Sequence, residues 1–78
     1  MKDIEIRRVI SNNIRAERSR NNYSQDFVAK HLGVTRETYI KYETDDTKIS
    51  AVNLLKLALL FKCKISSFYL TNNSTECE

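Results

Sequence analysis

The chain contains no proline, no tryptophan and only one glycine in its 78 residues. Folds with many short β-strands depend on glycine and proline for their tight turns. The scarcity of both residues therefore argues against such folds and predicts an all-α protein. The length predicts one domain, with little room for a catalytic cleft between lobes. A hydrophobic content of 41% and a charged content of 29% indicate a globular chain rather than a disordered one.

The residues that carry most enzyme chemistry are also sparse. Cys63 lies among apolar residues and Cys77 in a polar tail, and their spacing is not typical of a disulfide framework or a metal site. His31 is the only histidine, and no cluster of a nucleophile and a carboxylate accompanies it. The sequence has no glycine-rich phosphate loop. We therefore expect a non-enzymatic protein with no cofactor and no metal.

The charge balance of the chain is mildly basic. The net charge is +3, and the last eight residues carry Glu76 and Glu78 without a basic residue, so the rest of the chain is near +5. A modest positive field of this kind assists phosphate binding. The sequence shows no secretory signal, lipidation motif or apolar segment of membrane-spanning length. We expect a cytoplasmic protein.

The first predicted helix covers residues 3–20. Apolar residues recur at intervals of three and four, and charged residues occupy the other side. The apolar set is Ile6, Val9, Ile10 and Ile14, and the charged set is Arg7, Arg8, Arg15 and Glu17. Asn21 and Asn22 are expected to end this helix, since asparagine tolerates the left-handed conformation.

Residues 24–43 predict two short helices joined by a tight turn. Ser24 and Thr35 are favourable N-cap residues, and Gly33 supplies the left-handed backbone that ends the first of the two helices. Ala29 is small where the helices must cross, and Tyr39 lies on the apolar side of the second helix together with Tyr42. This pattern is typical of a helix-turn-helix, whose second helix enters the DNA major groove.

The fourth predicted helix is apolar on nearly every side. It is expected to begin after Ser50 and to end near Phe61, and a brief fifth helix is expected over residues 66–70. A helix without a polar face is either central to a large core or covered by something outside the domain, and the short chain favours the second alternative. We therefore expect a homodimer whose interface contains Val52, Leu55, Leu59, Ile65 and Tyr69. Residues 1–70 form the predicted domain, and residues 71–78 a flexible polar tail.

Three stretches of the chain resemble the Cro/cI-type (XRE) family of helix-turn-helix regulators. They are NNIRAER in the first helix, YSQDFVAKHLGVTRETYIKYE in the motif and SAVNLLKLALLFKCKISSFY after it. The resemblance implies a five-helix, lambda-repressor-like DNA-binding domain. It further implies a regulator, most often a repressor, that binds a two-fold symmetric site on double-stranded DNA as a homodimer.

The resemblance also implies roles for individual residues. Arg18 and Glu43 match a pair that joins the first helix to the end of the recognition helix in this family. Gln25 matches a residue that contacts a DNA phosphate. The implied base contacts are Arg36, Glu37, Thr38 and Lys41. The implied contacts to the DNA backbone are Ser24, Gln25, Thr35, Thr44 and Lys48.

Several of these roles have a structural alternative. Glu37 has the spacing to pair with Lys41 four residues later, as an exposed ion pair worth roughly 0.3–0.5 kcal/mol. Gln25 would otherwise be a solvated residue at the start of a helix, without a phosphate contact. Ile40 would either contact a thymine methyl group or simply be an exposed apolar residue.

The chain also departs from the family pattern after Glu43. The loop usually carries glycine and basic residues, whereas this chain has Thr44-Asp45-Asp46-Thr47, and Ile49 replaces the usual proline. Two aspartates near phosphates are repulsive unless they point away, which places the contacts to the DNA backbone on that side in question.

A second function also remains open. The apolar face of the fourth helix suits an antitoxin-type or other protein-interaction module.

Overall fold

The computed structural model describes residues 2–44 and 48–69. Within them the chain forms four α-helices: α1 (Asp3–Arg20), α2 (Gln25–Leu32), α3 (Arg36–Tyr42) and α4 (Ala51–Phe61). A 3-10 helix, Ile65–Tyr69, follows α4. The predicted all-α fold is confirmed.

The fifth element differs from its prediction. An α-helix was expected over residues 66–70, but the described part is a single 3-10 turn that begins at Ile65, and Leu70 lies outside the described residues. Five residues are too few for the i to i−4 hydrogen bonds of a stable α-helix, and the tighter 3-10 turn is common in such short segments. The predicted tail, residues 71–78, also lies outside the described residues.

Local side chains begin and end the helices as predicted. The hydroxyls of Ser24, Thr35 and Ser50 each accept the backbone N–H three residues later, at 3.0–3.1 Å. Gly33 ends α2 with φ at +77°. Asn22, after α1, also has a positive φ of 60°. These local signals define the lengths of α2 and α3, and therefore the tight turn between them.

The core is built from one side of every helix. α2 packs against α3, α1 packs against α4 and the 3-10 helix, and α4 packs against α2. The central side chains are fully or almost fully buried: Ile14, Val28, Ala29, Tyr39, Leu57 and Phe68. Phe61 lies edge-on to Phe68, with ring centroids 6.4 Å apart. The small Ala29 side chain is buried on α2, as predicted for a close helix crossing.

The polar side of α1 contains one exception to its prediction. Glu17 was placed with the exposed charges, but only 8% of the residue is exposed. Its carboxylate accepts a hydrogen bond from Arg20 at 2.7 Å, and this contact compensates the burial. Ile6, which was assigned to the apolar side, is 40% exposed.

None of the helices in the described part is sufficiently long and apolar to cross a membrane.

Gly33 offers a test of the turn between α2 and α3. A Cβ atom built on Gly33 has nothing within 4 Å, so the strain of a side chain comes from the positive φ alone. We expect Gly33→Ala to reduce the free energy of unfolding by about 1–2 kcal/mol, measured by urea denaturation. Gly33→Asn is the matched variant and should cost less, because asparagine tolerates this conformation. Equal costs for the two variants would contradict this explanation.

Candidate nucleic-acid interface

Helix α3 has one buried side and one exposed side. Tyr39 is fully buried and Tyr42 is 8% exposed, and their rings meet edge to face with centroids 6.1 Å apart. Arg36, Glu37 and Lys41 are exposed. The buried tyrosines therefore fix the helix on the domain, while the charged groups face outward.

The predicted base contacts lie on this exposed side. Three of them, Arg36, Glu37 and Lys41, are exposed, and Thr38 is half-buried. The Thr38 hydroxyl accepts a hydrogen bond from Thr35 Oγ1 at 2.9 Å. Among the described residues, no ion pair joins Glu37 to Lys41, so both charged groups extend into solvent.

The start of α2 lies beside the start of α3. A concavity between them is lined by Arg18, Ser24, Gln25, Asp26 and Arg36. The structure thus brings a predicted base contact, Arg36, next to two predicted backbone contacts, Ser24 and Gln25. Asp26 has its own partner, since its carboxylate lies 3.3 Å from Lys30 Nζ. The exposed guanidinium group of Arg36 makes this concavity suitable for a phosphate group.

The buried carboxylate of Glu43 lies between α1, α2 and α3. Its residue is only 3% exposed. Arg18 donates to both of its oxygens, from Nε to Oε2 at 2.5 Å and from Nη2 to Oε1 at 3.2 Å. Tyr39 donates its hydroxyl to Oε2 at 2.5 Å, and Gln25 donates from Nε2 to Oε1 at 3.2 Å. We call these four residues the Glu43 cluster.

The contacts of the Glu43 cluster shift the pKa values of its members. Burial by itself raises the pKa of Glu43, but the hydrogen bonds from Arg18, Tyr39 and Gln25 outweigh it and leave the pKa below its ordinary value. The hydrogen bond to Glu43 raises the pKa of Arg18. Burial, and then the hydrogen bond to Glu43, raises the pKa of Tyr39. Glu43 is therefore ionised and Tyr39 neutral near pH 7.

Helix α1 also holds the C-terminal end of α3. Arg15 Nη1 donates to the backbone carbonyl of Glu43 at 3.2 Å, and the Ser11 hydroxyl donates to the carbonyl of Thr44. Carbonyl groups at a helix end lack partners within the helix, so these contacts satisfy them. The sequence analysis did not identify either contact. The spacing of Ser11 and Arg15, four residues apart on one side of α1, is the signal that could have suggested a shared contact.

The other predicted contacts to the DNA backbone are spread around this surface. Thr44 is exposed, and its Oγ1 donates to the Lys41 carbonyl at 3.0 Å. Lys48 is also exposed. Thr35 uses its hydroxyl within the chain, both as the cap of α3 and as the donor to Thr38. The questioned residues of the loop, Asp45 to Thr47, lie outside the described residues.

The predicted dimer residues form a separate exposed apolar surface on α4 and the 3-10 helix. The exposed fractions range from 39% to 71% for Val52, Leu55, Leu59, Ile65 and Tyr69. The opposite side of α4 is buried in the core through Leu54, Leu57, Ala58 and Phe61. The helix is thus apolar on two sides, as the sequence predicted. We call the exposed side the α4 surface.

The described residues contain no cluster of three or more histidine, cysteine, aspartate or glutamate side chains that could hold a metal ion. His31 is exposed on α2. Cys63 is half-buried, and burial raises the pKa of its thiol. The polar groups that converge in the described structure are those of the Glu43 cluster and the exposed side of α3.

Two short helices joined at Gly33, with the second one exposing a charged side, define a helix-turn-helix domain. The family model described as Helix-turn-helix matches residues 14–68, which is more than half of the chain. The chain belongs to this family, in its XRE branch, and is a DNA-binding protein with a role in transcription regulation.

One similar solved structure is the crystal structure of the hypothetical transcription factor NHTF from Neisseria. It superposes with a TM-score of 0.82 at 21% sequence identity, covering 99% of this chain and 88% of that chain. At this identity the likeness shows the fold. No curated protein matches the chain.

The lowered pKa of Glu43 makes stability depend on pH. In the unfolded chain this carboxyl group titrates near 4.5, and in the folded chain it titrates lower. Its contribution is therefore complete above about pH 4.5 and is lost as the pH falls through the folded-state pKa. We expect Glu43→Gln to flatten the decline of the free energy of unfolding below this pH, measured by urea denaturation between about pH 2.5 and 7.

The control for this experiment is Glu37→Gln, which removes a carboxylate from the exposed side of α3. It should keep the wild-type dependence on pH. If Glu43→Gln and the wild type lose stability in parallel on acidification, Glu43 does not carry this effect.

Proposed function

We propose that the protein is a sequence-specific transcriptional repressor that binds a two-fold symmetric DNA site as a homodimer. Family membership supports DNA binding. The buried and exposed sides of α3 carry the proposal that this helix contacts bases. A helix held by buried Tyr39 and Tyr42 presents Arg36, Glu37 and Lys41 to the outside. Such a helix suits insertion into the major groove. A bound dimer would act by occupying promoter DNA.

The exposed groups of α3 match the chemistry of base edges. The guanidinium group of Arg36 and the ammonium group of Lys41 suit the guanine O6 and N7 acceptors, and the carboxylate of Glu37 suits the cytosine N4 donor. A good bidentate contact discriminates between bases by roughly 1–3 kcal/mol. Thr38 would contribute from the same edge of α3.

The contacts to the DNA backbone would position α3 in the groove. Gln25 and Ser24 lie at the start of α2, where backbone N–H groups attract phosphate. They share the concavity with Arg36, which supplies positive charge at this point, while Arg18 and Asp26 in its lining are each paired within the chain. Thr44 and Lys48 are exposed and would contact the backbone on the other side of α3.

The α4 surface supports the proposed homodimer. Val52 is 65% exposed, Leu55 51% and Leu59 71%. Full burial of an exposed side chain of this kind stabilises association by roughly 1.5–3 kcal/mol before the costs of binding, and each of these partly exposed side chains would contribute a fraction of that amount. A two-fold axis through this surface would relate two copies of α3. The copies must lie about 34 Å apart to enter successive turns of the major groove.

Substitutions at Arg36 and Gln25 separate base contacts from backbone contacts. We expect Arg36→Ala to flatten the preference at one base pair by roughly 1–3 kcal/mol, because it removes a base contact. Gln25→Ala should weaken binding to all sequences about equally and leave the salt dependence unchanged, because glutamine carries no charge. The measurement is selection from random oligonucleotides followed by titration at several salt concentrations.

The control for lost charge is Lys64→Ala, in the turn after α4 and distant in sequence from the helix-turn-helix. It should keep the base preferences of the wild type. Unchanged preferences and affinities for both Arg36→Ala and Gln25→Ala would show that another surface binds DNA.

A charge placed on the α4 surface tests the dimer. We expect Leu59→Glu to sediment as a monomer in analytical ultracentrifugation and to lose affinity for a two-half-site DNA much more than for a single half-site. His31→Glu is the matched control, since it adds the same charge at an exposed position of α2 and should remain dimeric. A wild-type protein that is monomeric at all concentrations would favour the interaction-module function, in which the α4 surface binds a different protein.

A further inference from the structure

We infer that Tyr39 is a positioning residue for DNA binding. Together with Glu43 it orients the Gln25 carboxamide so that the second N–H of Gln25 points at a DNA phosphate. The inference rests on the proposed function and deepens it, because it makes a buried residue of α3 responsible for a backbone contact made from α2.

The acceptor sites of Glu43 are filled. A carboxylate offers about four lone-pair directions. Here Oε1 accepts from Gln25 Nε2 and Arg18 Nη2, both at 3.2 Å, and Oε2 accepts from Arg18 Nε and the Tyr39 hydroxyl, both at 2.5 Å. With all directions occupied, the plane of the carboxylate is fixed from both sides.

The fixed carboxylate determines which way the Gln25 amide points. An ionised carboxylate only accepts hydrogen bonds, so it attracts the NH₂ group of Gln25 and repels its oxygen. One N–H is used in the contact with Oε1. Within residues 2–44 and 48–69, the other N–H has no hydrogen-bond partner. The amide is therefore held as a donor with one hydrogen left for a ligand.

The position of Gln25 makes an anion the expected partner of its remaining amide hydrogen. Gln25 is the first residue of α2, is half-buried, and lines the concavity with Arg18, Ser24 and Arg36. A phosphate oxygen seated there would meet the exposed guanidinium group of Arg36 and a preoriented amide. Orientation in the free protein removes part of the entropic cost of ordering this side chain on binding.

Tyr39 completes the arrangement from the other side of the carboxylate. Its hydroxyl and the guanidinium group of Arg18 hold Oε2, and this leaves Oε1 directed at Gln25. Without the hydroxyl, Oε2 keeps an unsatisfied lone pair, and the carboxylate can turn to share its remaining donors differently. Gln25 would then lose its fixed partner, although neither Gln25 nor the exposed side of α3 has changed.

The first experiment examines the free protein. Gln25 is the only glutamine in the chain, so incorporation of amide-¹⁵N glutamine gives one pair of side-chain resonances in an NMR spectrum. We expect one proton of the pair to be displaced from its position in an unfolded peptide and to exchange slowly, because it is bonded to Glu43. Tyr39→Phe should move this resonance towards the unfolded position.

The matched control is Tyr42→Phe, which removes a buried hydroxyl from the same helix without removing one of the four donors to Glu43. It should leave the Gln25 resonances in place. If Tyr39→Phe does not fold, Glu43→Asp replaces it, since the shorter side chain withdraws the carboxylate from Gln25. A wild-type pair at the unfolded position, a folded Tyr39→Phe variant whose pair stays in place, or, where Tyr39→Phe does not fold, a Glu43→Asp variant whose pair stays in place would overturn the inference.

The second experiment is a double-mutant cycle on DNA affinity at a temperature where circular dichroism shows every variant to be folded. Tyr39→Phe should weaken DNA binding about fivefold when Gln25 is present, which is RT ln 5 or about 1 kcal/mol. In the Gln25→Ala background the same change should have less than about a twofold effect. A merely structural role for Tyr39 predicts equal losses in both backgrounds, and that result would overturn the inference.

The two experiments separate this inference from the proposed function. Absence of sequence-specific DNA binding by the wild type would contradict the proposed function, and with it any role of Gln25 on DNA. Binding that weakens with Gln25→Ala but shows no coupling to Tyr39 would leave the proposed function intact and overturn only the role of Tyr39.

Discussion

The burial of the Glu43 carboxylate constrains how the helices of the motif are arranged. An ionised carboxylate removed from water is strongly unfavourable unless donors occupy its lone pairs. Its donors come from three helices: Arg18 on α1, Gln25 at the start of α2 and Tyr39 within α3. A shift of any one helix against the others would remove at least one of the donors to this buried charge. The relative placement of the helix-turn-helix and α1 is therefore fixed by one polar contact as well as by the apolar core.

The same constraint explains how a seven-residue helix can present side chains in a defined orientation. An isolated helix of this length is not stable in water. α3 begins at the Thr35 cap, is buried along Tyr39 and Tyr42, and ends at carbonyls that accept from Ser11 and Arg15 of α1. Both ends and one side are thus held by the domain. What remains exposed is the charged edge, and its conformational freedom is limited to side-chain rotation.

Local features of this fold could be predicted from the sequence, and features that depend on distant residues could not. The caps at Ser24, Thr35 and Ser50 and the stop at Gly33 involve neighbours within a few residues, so residue type and spacing are sufficient. The pairing of Arg18 with Glu43 was suggested only by family resemblance, since no local spacing connects residues so far apart. Several features were missed, among them the contacts of Ser11 and Arg15 with the end of α3. The burial of Glu17 and the hydroxyl contact of Tyr39 depend on which side of a helix meets another, and the tyrosines had been assigned to shape alone.

Helix α4 connects the core of the domain to the proposed dimer. Leu54, Leu57 and Phe61 pack inward against α1, α2 and the 3-10 helix, while Leu55 and Leu59 face outward from the same rigid element. A partner bound at Leu55 and Leu59 is therefore coupled to α3 through packed side chains and not through a flexible linker. In a homodimer the distance between the two copies of α3 would be set by the proposed interface on α4 and the 3-10 helix and by the packing of α4 on α2 and of α2 on α3. Because a second half-site then binds as an intramolecular event, small changes at this apolar surface would alter DNA affinity more than their distance from the DNA suggests.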